Sequence, residues 1–343
     1  MQEIDGLQRL FAAVIILKCR CLERLFTIMT GSDPELVVDC ACILGESPIW
    51  HSTENRLYWV DIPAGRVFYF EPETRGFSEV LQGDPIGALA IQADGSLLLF
   101  LSDGAIGSFR KGALHAVPVL VPEQPGFRFN DCIVDPVGRV YSGTIAYKQK
   151  NRTFGARVSR KLRRLLRRSR STGHVYCFDI DGRVTSVARG IGRANGMGFS
   201  PERNRLYLTD SLARNILAYD YDETRGSIAN PRLFVHVPAS ARETPDGLAV
   251  DSRGFVWSAH MNGGCVVRYR PDGTEERRIR LPTPRVTSLN FGGIDYADLY
   301  ITTAGGDRKD LYGGTAGALF RVRPGVTGLP DFRSRIPTTA IPS

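Results

Sequence analysis

The sequence lacks an apolar run long enough to cross a bilayer as a helix. The run at residues 10–17 is far shorter than the about 20 residues that a transmembrane helix needs. It also makes a poor secretory signal, because Glu3 and Asp5 precede it and no A-x-A-like cleavage site follows. We therefore expect no stable membrane association. We interpret residues 1–34 as an N-terminal extension, with Met29 as an alternative start.

The seven cysteines contain no C-x-x-C pair, which is the common spacing of zinc and thiol redox sites. Two pairs are separated by one residue only, Cys19 with Cys21 and Cys40 with Cys42. The number is odd and the remaining cysteines are scattered, which argues against a disulfide framework. We expect reduced thiols in a cytoplasmic protein.

Two hydrolase signatures are also missing. There is no G-x-S-x-G nucleophile elbow, and the five histidines never form H-E-x-x-H. These absences disfavour a serine hydrolase of the α/β type and a zinc peptidase of the H-E-x-x-H type.

An excess of positive charge is missing outside one segment. The formal net charge is +8, but residues 148–170 alone hold eleven Lys and Arg and no Asp or Glu. The rest of the chain is therefore mildly acidic, and we expect no nucleic-acid partner. A helix would gather the leucines of this segment opposite its arginines, so an anionic membrane or nucleic-acid contact stays open as an alternative. We interpret residues 148–172 as a basic surface insertion in a domain spanning 35–343.

One pattern recurs along that domain: an apolar strand, a turn with Asp, Asn or Gly, and a second apolar strand. Its copies begin at Gly45, Gly87, Asn130, Asn195, Asp246 and Thr287. Most steps between copies are about 40 to 50 residues, the period of a four-stranded propeller blade. The single step of about 65 residues holds the basic insertion. The repeat predicts an all-β fold, a six-bladed β-propeller.

Four copies carry a polar residue at the start of an otherwise apolar strand: Glu46, Asn130, Asn195 and Asp246. The starts of inner strands converge on the channel of a propeller, so these side chains would form an oxygen-rich cage suited to a divalent cation. Each alone has a simpler interpretation, because N-G and D-G are common turn dipeptides and the others could be loop or capping residues. Their recurrence at equivalent points favours a shared metal site.

Several motifs resemble those of the SMP-30/gluconolactonase/regucalcin family. They are GESPIW, RFND, NGMGFS with LYLTDS, PDGLAVD with GFVW, and TSLNFGG. The resemblance runs from about Glu35 to Val322, and several motifs in order are more specific than any one of them. It implies a six-bladed propeller with one divalent metal and lactonase activity on a small-molecule sugar lactone. We expect a monomer or a small homo-oligomer.

The resemblance also implies residue roles. The metal ligands would be Glu46 in G-E-x-P, Asn195 in N-G and Asp246 in P-D-G. Arg128 and Asn130 of R-x-N-D would bind the substrate. Ca²⁺, Zn²⁺, Mn²⁺, Mg²⁺ or Fe²⁺ would activate water to attack the carbonyl of an aldonolactone, and Asp246 would also accept the proton.

One region departs from the family pattern. Regucalcin-like members carry a substrate-contacting Glu shortly after G-T-M, whereas this chain reads G-T-I at 143–145 and A-Y-K at 146–148. A cation takes the place of a carboxylate, so the substrate contacts should differ. Two alternatives stay open: the same cage could hydrolyse another ester or a phosphotriester, or the propeller could bind a metal or a partner without catalysis.

Overall fold

The structure, a computed structural model, describes residues 33–101, 104–119, 127–146 and 173–338. The predicted extension up to residue 32 and the basic insertion at 148–172 lie outside the described residues. The described part forms six four-stranded antiparallel sheets arranged as the blades of a ring. This confirms the predicted all-β, six-bladed propeller.

The strands are assigned to the blades from the innermost strand outwards. The first blade consists of β2 (Gly45–His51), β3 (Arg56–Asp61), β4 (Arg66–Glu71) and β5 (Gly76–Gln82). The second consists of β6 (Ile86–Ile91), β7 (Leu97–Leu101), β8 (Ile106–Arg110) and β9 (Ala113–Ala116). The third consists of β10 (Phe127–Val134), β11 (Val140–Ala146), β12 (Gly173–Phe178) and β13 (Val184–Ile191). The fourth blade consists of β14 (Ala194–Phe199), β15 (Arg205–Asp210), β16 (Asn215–Asp222) and β17 (Ser227–His236). The fifth consists of β18 (Thr244–Val250), β19 (Val256–Met261), β20 (Cys265–Tyr269) and β21 (Glu275–Arg280). The sixth consists of β22 (Val286–Gly292), β23 (Asp298–Thr303), β24 (Leu319–Val322) and β1 (Glu35–Val38).

Helical structure among the described residues is confined to short pieces. They are one helix, α1 (Lys309–Tyr312), and two 3₁₀ turns at Ala239–Ala241 and Gly306–Arg308. Within the part that the structure describes, no helix is long and apolar enough to span a membrane.

The sixth blade closes the ring by combining both ends of the domain. Its three inner strands come from the end of the chain, whereas its outer strand is β1, which pairs antiparallel with β24. Arg321 on β24 donates to the Glu35 carboxylate on β1 over 2.7 Å. This pairing ties the first blade to the last and covers an edge that would otherwise stay open.

The core consists of six apolar clusters, and each lies between two neighbouring blades. Between the second and third blades, the rings of Phe100 and Phe129 meet edge to face at 5.2 Å between centroids. Between the fifth and sixth, Trp257 and Phe291 do the same at 5.9 Å. Apolar strands of β-branched and aromatic residues suit this arrangement, because the inner and middle strands of each blade are buried on both faces.

Every inner strand has a β-bulge at the corresponding place. The bulges fall between Glu46 and Ile49, Ile86 and Ala88, Asn130 and Cys132, Ala194 and Met197, Pro245 and Leu248, and Val286 and Ser288. A bulge bends the strand and re-aims the side chains beside it. The prediction that a polar residue opens each strand needs a correction here. Asn130 is the fourth residue of β10 and Asp246 the third of β18, because the bulge lies inside the strand.

The far end of the central channel is covered by the segment that follows β24. Ser334 N donates to Ile91 O at the end of β6, and Arg335 N donates to Gly138 O in the turn after β10. Residues 329–332 of this segment and all six inner strands line a cavity of about 380 Å³. The inner strands begin at the other end of the channel, and we call this end the channel mouth.

Candidate functional site

Three of the predicted site residues lie on different blades near the channel mouth. Glu46 is on β2, Asn195 on β14 and Asp246 on β18, and they are 7%, 4% and 6% exposed. Asn195 Nδ2 donates a hydrogen bond to Asp246 Oδ1, and it also lies 3.3 Å from Ser211 Oγ. The propeller thus brings together residues that are far apart in the sequence.

The glycines that follow Asn195 and Asp246 serve close packing, not turns. A Cβ on Gly196 would lie 2.1 Å from Leu248 N, and a Cβ on Gly247 would lie 2.3 Å from Ser288 Oγ. Both distances are far below van der Waals contact, so the neighbouring inner strands leave no room for a side chain. The turn interpretation of these N-G and D-G dipeptides is wrong, because both lie inside inner strands.

Two buried carboxylates face the same space. Burial raises the pKa of Glu46 well above its usual range, and the charges of Asp246 and Asp131 raise it further. Burial likewise raises the pKa of Asp246, although the guanidinium of Arg193 opposes the shift. Carboxylates crowded in this way repel each other unless a cation or protons neutralise them.

Asn195 provides a further oxygen. Its Oδ1 atom is buried and has no hydrogen-bond partner among the described residues. A buried amide oxygen without a partner is costly, and a bound cation would satisfy it. Two carboxylates and this oxygen form a donor set that suits hard divalent cations.

The predicted substrate residues lie on β10 of the third blade. Asn130 Nδ2 donates to Ala194 O over 2.8 Å, which ties it to the residue before Asn195. Arg128 Nη1 donates to Phe129 O over 2.8 Å, and the side chain is 9% exposed. Arg128 also lowers the pKa of Glu46, so its positive charge acts on the two carboxylates.

Asp131 is a site residue that the sequence reasoning missed. It lies at the bulge of β10 with φ of 55°, and its side chain lines the cavity in the channel. Burial raises its pKa to about 6, and its charge raises the pKa of both Glu46 and Asp246. Asp131 is the last residue of the R-F-N-D motif, which could have indicated its place in the site. An Asp that follows an Asn is more typical of a turn, so the motif alone did not single it out.

A second group of potential ligands lies in the fifth blade. Ligand atoms of Glu243, His260 and Cys265 all lie within 4.8 Å of one another and are buried. Arg278 Nη1 already lies 2.8 Å and 3.0 Å from the two carboxylate oxygens of Glu243. The guanidinium of Arg278 thus already balances the charge of the Glu243 carboxylate. This group is therefore better explained as a buried ion network than as a metal centre.

Residues 44–305 match the SMP-30/Gluconolactonase/LRE-like region. The chain belongs to this family. The match covers every inner strand, and the predicted site residues all lie within it.

Relatives in this family include two proteins of similar length. The chain is 42% identical over 307 residues to Pentonolactonase XacC of Haloferax volcanii, covering 88% of this chain and 97% of that one. It is 31% identical over 311 residues to Regucalcin of Bos taurus, covering 89% and 99%.

Solved structures of family proteins share the fold. A luciferin-regenerating enzyme aligns with a TM-score of 0.76 at 23% identity, covering 88% of this chain and 99% of that chain. Regucalcin from Agrobacterium tumefaciens aligns with a TM-score of 0.76 at 22% identity, covering 89% and 98%. At these identities the likeness supports the propeller fold only.

Proposed function

We propose that this protein is a metal-dependent lactonase that opens a sugar-derived lactone to the hydroxy acid. The observation that supports this most directly is the hydrogen bond between Asn195 and Asp246 on neighbouring blades, beside the buried carboxylate of Glu46. Asn195 Oδ1 has no hydrogen-bond partner among the described residues. Membership of the SMP-30/Gluconolactonase/LRE-like family and 42% identity to a pentonolactonase support the choice of substrate class.

The three residues Glu46, Asn195 and Asp246 would hold the cation. A divalent cation bound there would stabilise negative charge on a carbonyl oxygen and lower the pKa of water. Ca²⁺, Mn²⁺, Mg²⁺, Zn²⁺ and Fe²⁺ all accept oxygen ligands, and we place Ca²⁺ and Mn²⁺ first because the donor set has no sulfur or imidazole.

Arg128 and Asn130 would bind and orient the lactone. Asn130 is held by its bond to Ala194 O, which leaves its amide oxygen as the atom that would accept from a substrate hydroxyl. The Arg128 guanidinium offers several N–H donors for ring hydroxyls and for the carboxylate that forms on opening. Fixed donors of this kind reduce the entropy lost when the reacting groups come together.

Asp246 would accept the proton of the attacking water. Its Oδ1 already accepts from Asn195, so Oδ2 is the oxygen available for this step. Burial raises the pKa of Asp246, which makes its carboxylate a stronger base than an exposed aspartate. Glu46, close enough for its charge to act on Asp246, would stay ionised as a ligand and balance the cation.

The test is turnover on a substrate panel after chelation. Purified protein would be stripped with a chelator and then given Ca²⁺, Mn²⁺, Mg²⁺, Zn²⁺ or Fe²⁺ one at a time. We expect chelation to stop the opening of aldonolactones and at least one cation to restore it. Esters and phosphotriesters would be tested in parallel. Faster turnover of these substrates than of lactones would identify the protein as an esterase or phosphotriesterase instead. Metal binding without turnover on any substrate would favour a binding propeller and overturn the proposal.

A further inference from the structure

An arginine recurs at the same position relative to three inner strands, and the proposed mechanism assigns a role to only one of the three arginines. At the start of each strand or just before it, an arginine lies two residues before the polar residue at the bulge: Arg128 before Asn130, Arg193 before Asn195, and Arg285 before Thr287. The three motifs read R-F-N, R-A-N and R-V-T. The blades repeat one another around the channel, so equivalent positions place the three arginines around the same end of the channel.

The surroundings of Arg193 and Arg285 hold them at the channel mouth. The backbone of Arg193 is fixed, because its N–H donates to Asp210 Oδ1 over 3.0 Å and its carbonyl accepts from Ser211 N over 3.0 Å. Arg193 is exposed among the described residues. The guanidinium of Arg285 stacks 4.8 Å above the ring of Tyr312 at the end of α1.

Neither of these two arginines is neutralised by a carboxylate of the residues that the structure describes. Among the described residues, no Asp or Glu lies within ion-pair distance of Arg193 or Arg285, in contrast to Arg66 with Asp61 or Arg139 with Asp135. Stacking on an aromatic ring occupies the face of a guanidinium and leaves its N–H edges available. The charges of Arg193, Arg128 and Arg285 all lower the pKa of Asp246, so all three act on the same site.

We propose that Arg193 and Arg285 complete, with Arg128, an arginine triad at the channel mouth that binds a carboxylate of the open-chain sugar acid. The identity of this ligand rests on the proposed function, since lactone opening turns a neutral ester into a carboxylate. Guanidinium groups match carboxylates through paired N–H donors, which a neutral lactone cannot use as well. The triad therefore favours the ring-opened acid over neutral sugar ligands of the same size.

The experiment measures binding and needs no turnover. Titration calorimetry would compare gluconate with the uncharged polyol glucitol, at low ionic strength and a constant Ca²⁺ concentration. We expect the wild-type protein to bind gluconate at least about ten-fold more tightly than glucitol. Arg193→Met and Arg285→Met should each weaken gluconate binding about ten-fold and leave glucitol binding little changed. Added NaCl should reduce the preference.

The control is Arg189→Met, which removes the same charge from an exposed position on the outer strand β13. It should bind gluconate as the wild type does. Arg193→Lys should bind gluconate with intermediate affinity, because it keeps the charge but loses the paired donors. Equal affinity of the wild type for gluconate and glucitol, or an equal loss in Arg189→Met, would overturn the triad. The substrate panel decides the lactonase proposal separately, because the triad is tested by affinity alone.

Discussion

Asn195 donates a hydrogen bond to Asp246 across the boundary between the fourth and fifth blades. The contact joins two inner strands that run so close together that a glycine must follow Asn195, because a Cβ on Gly196 would lie 2.1 Å from Leu248 N. It also orients the amide so that Asn195 Oδ1 is left without a partner among the described residues. A single side-chain pair thus links the packing of the blades to the donor set of the proposed metal site.

Asp246→Asn should abolish most of the lactone opening. The change keeps the shape of the side chain but removes the charge that would both hold the cation and accept a proton. We expect kcat/KM to fall by about 10² to 10⁴-fold, the usual contribution of a general base. Steady-state turnover at saturating metal measures this.

The matched control for that variant is Asp272→Asn, which removes a carboxylate from an exposed turn. It should keep wild-type kcat/KM. Circular dichroism would establish that both variants are folded. Wild-type turnover by a folded, metal-replete Asp246→Asn protein would exclude Asp246 from the reaction.

Asn195→Asp should make stability depend more strongly on the metal. Without a cation, a third buried carboxylate beside Glu46 and Asp246 should lower the free energy of unfolding by roughly 1 to 3 kcal/mol. With Ca²⁺ the added charge becomes a ligand, so the stabilisation by Ca²⁺ should be larger than in the wild type. Urea unfolding with and without Ca²⁺ measures both effects. Asn55→Asp, at an exposed turn, is the control and should show neither of them.

Gly247→Ala should destabilise the propeller. Its Cβ would lie 2.3 Å from Ser288 Oγ and 2.6 Å from Ser288 Cα, so the fifth and sixth blades would have to move apart. Forcing an extra methyl group into a packed site costs about 1 to 3 kcal/mol in the free energy of unfolding. Gly83→Ala is the control, because nothing lies within 4 Å of its added Cβ. Equal stability of the two variants would show that the strands can separate freely.

The ion network around Glu243 should stabilise the protein in a pH-dependent way. Contact with His260 and the ion pair with Arg278 lower the pKa of Glu243 from 4.5 to about 2. A lowered pKa means that the stabilisation is complete above the unfolded-state pKa near 4.5 and is lost as the pH falls towards 2. Glu243→Gln should therefore be less stable than the wild type at pH 6, with a smaller difference at pH 3.5.

Urea unfolding at the two pH values checks the Glu243 prediction. The control is Glu73→Gln at an exposed turn, where no such difference should appear. A gap between Glu243→Gln and the wild type that stays constant from pH 6 to pH 3.5 would mean that the carboxylate contributes through packing and not through its charge.

The repeat of apolar strands and turns carried enough information to predict the fold class and the number of blades. Each copy has the same alternation because each inner strand has the same task, packing between two neighbouring sheets. Polar residues that interrupt this pattern, such as Glu46 and Asp246, stood out for the same reason. The sequence could not indicate that β1 closes the sixth blade. A strand of four residues is too short for a recognisable pattern, and it is defined only by its pairing with β24.

By itself, then, the sequence determined the six-bladed propeller, because the copies of the repeat can be counted along the chain. It also predicted Glu46, Asn130, Asn195 and Asp246, because each interrupts the apolar pattern of its own copy. Only the tertiary structure decided how these residues are aimed and which others join them. The bulge in each inner strand depends on its pairing with the next strand of the same blade. The missing space beside Gly196 and Gly247 depends on distances between different blades. Such distances arise when the ring closes, and no local pattern of residues encodes them.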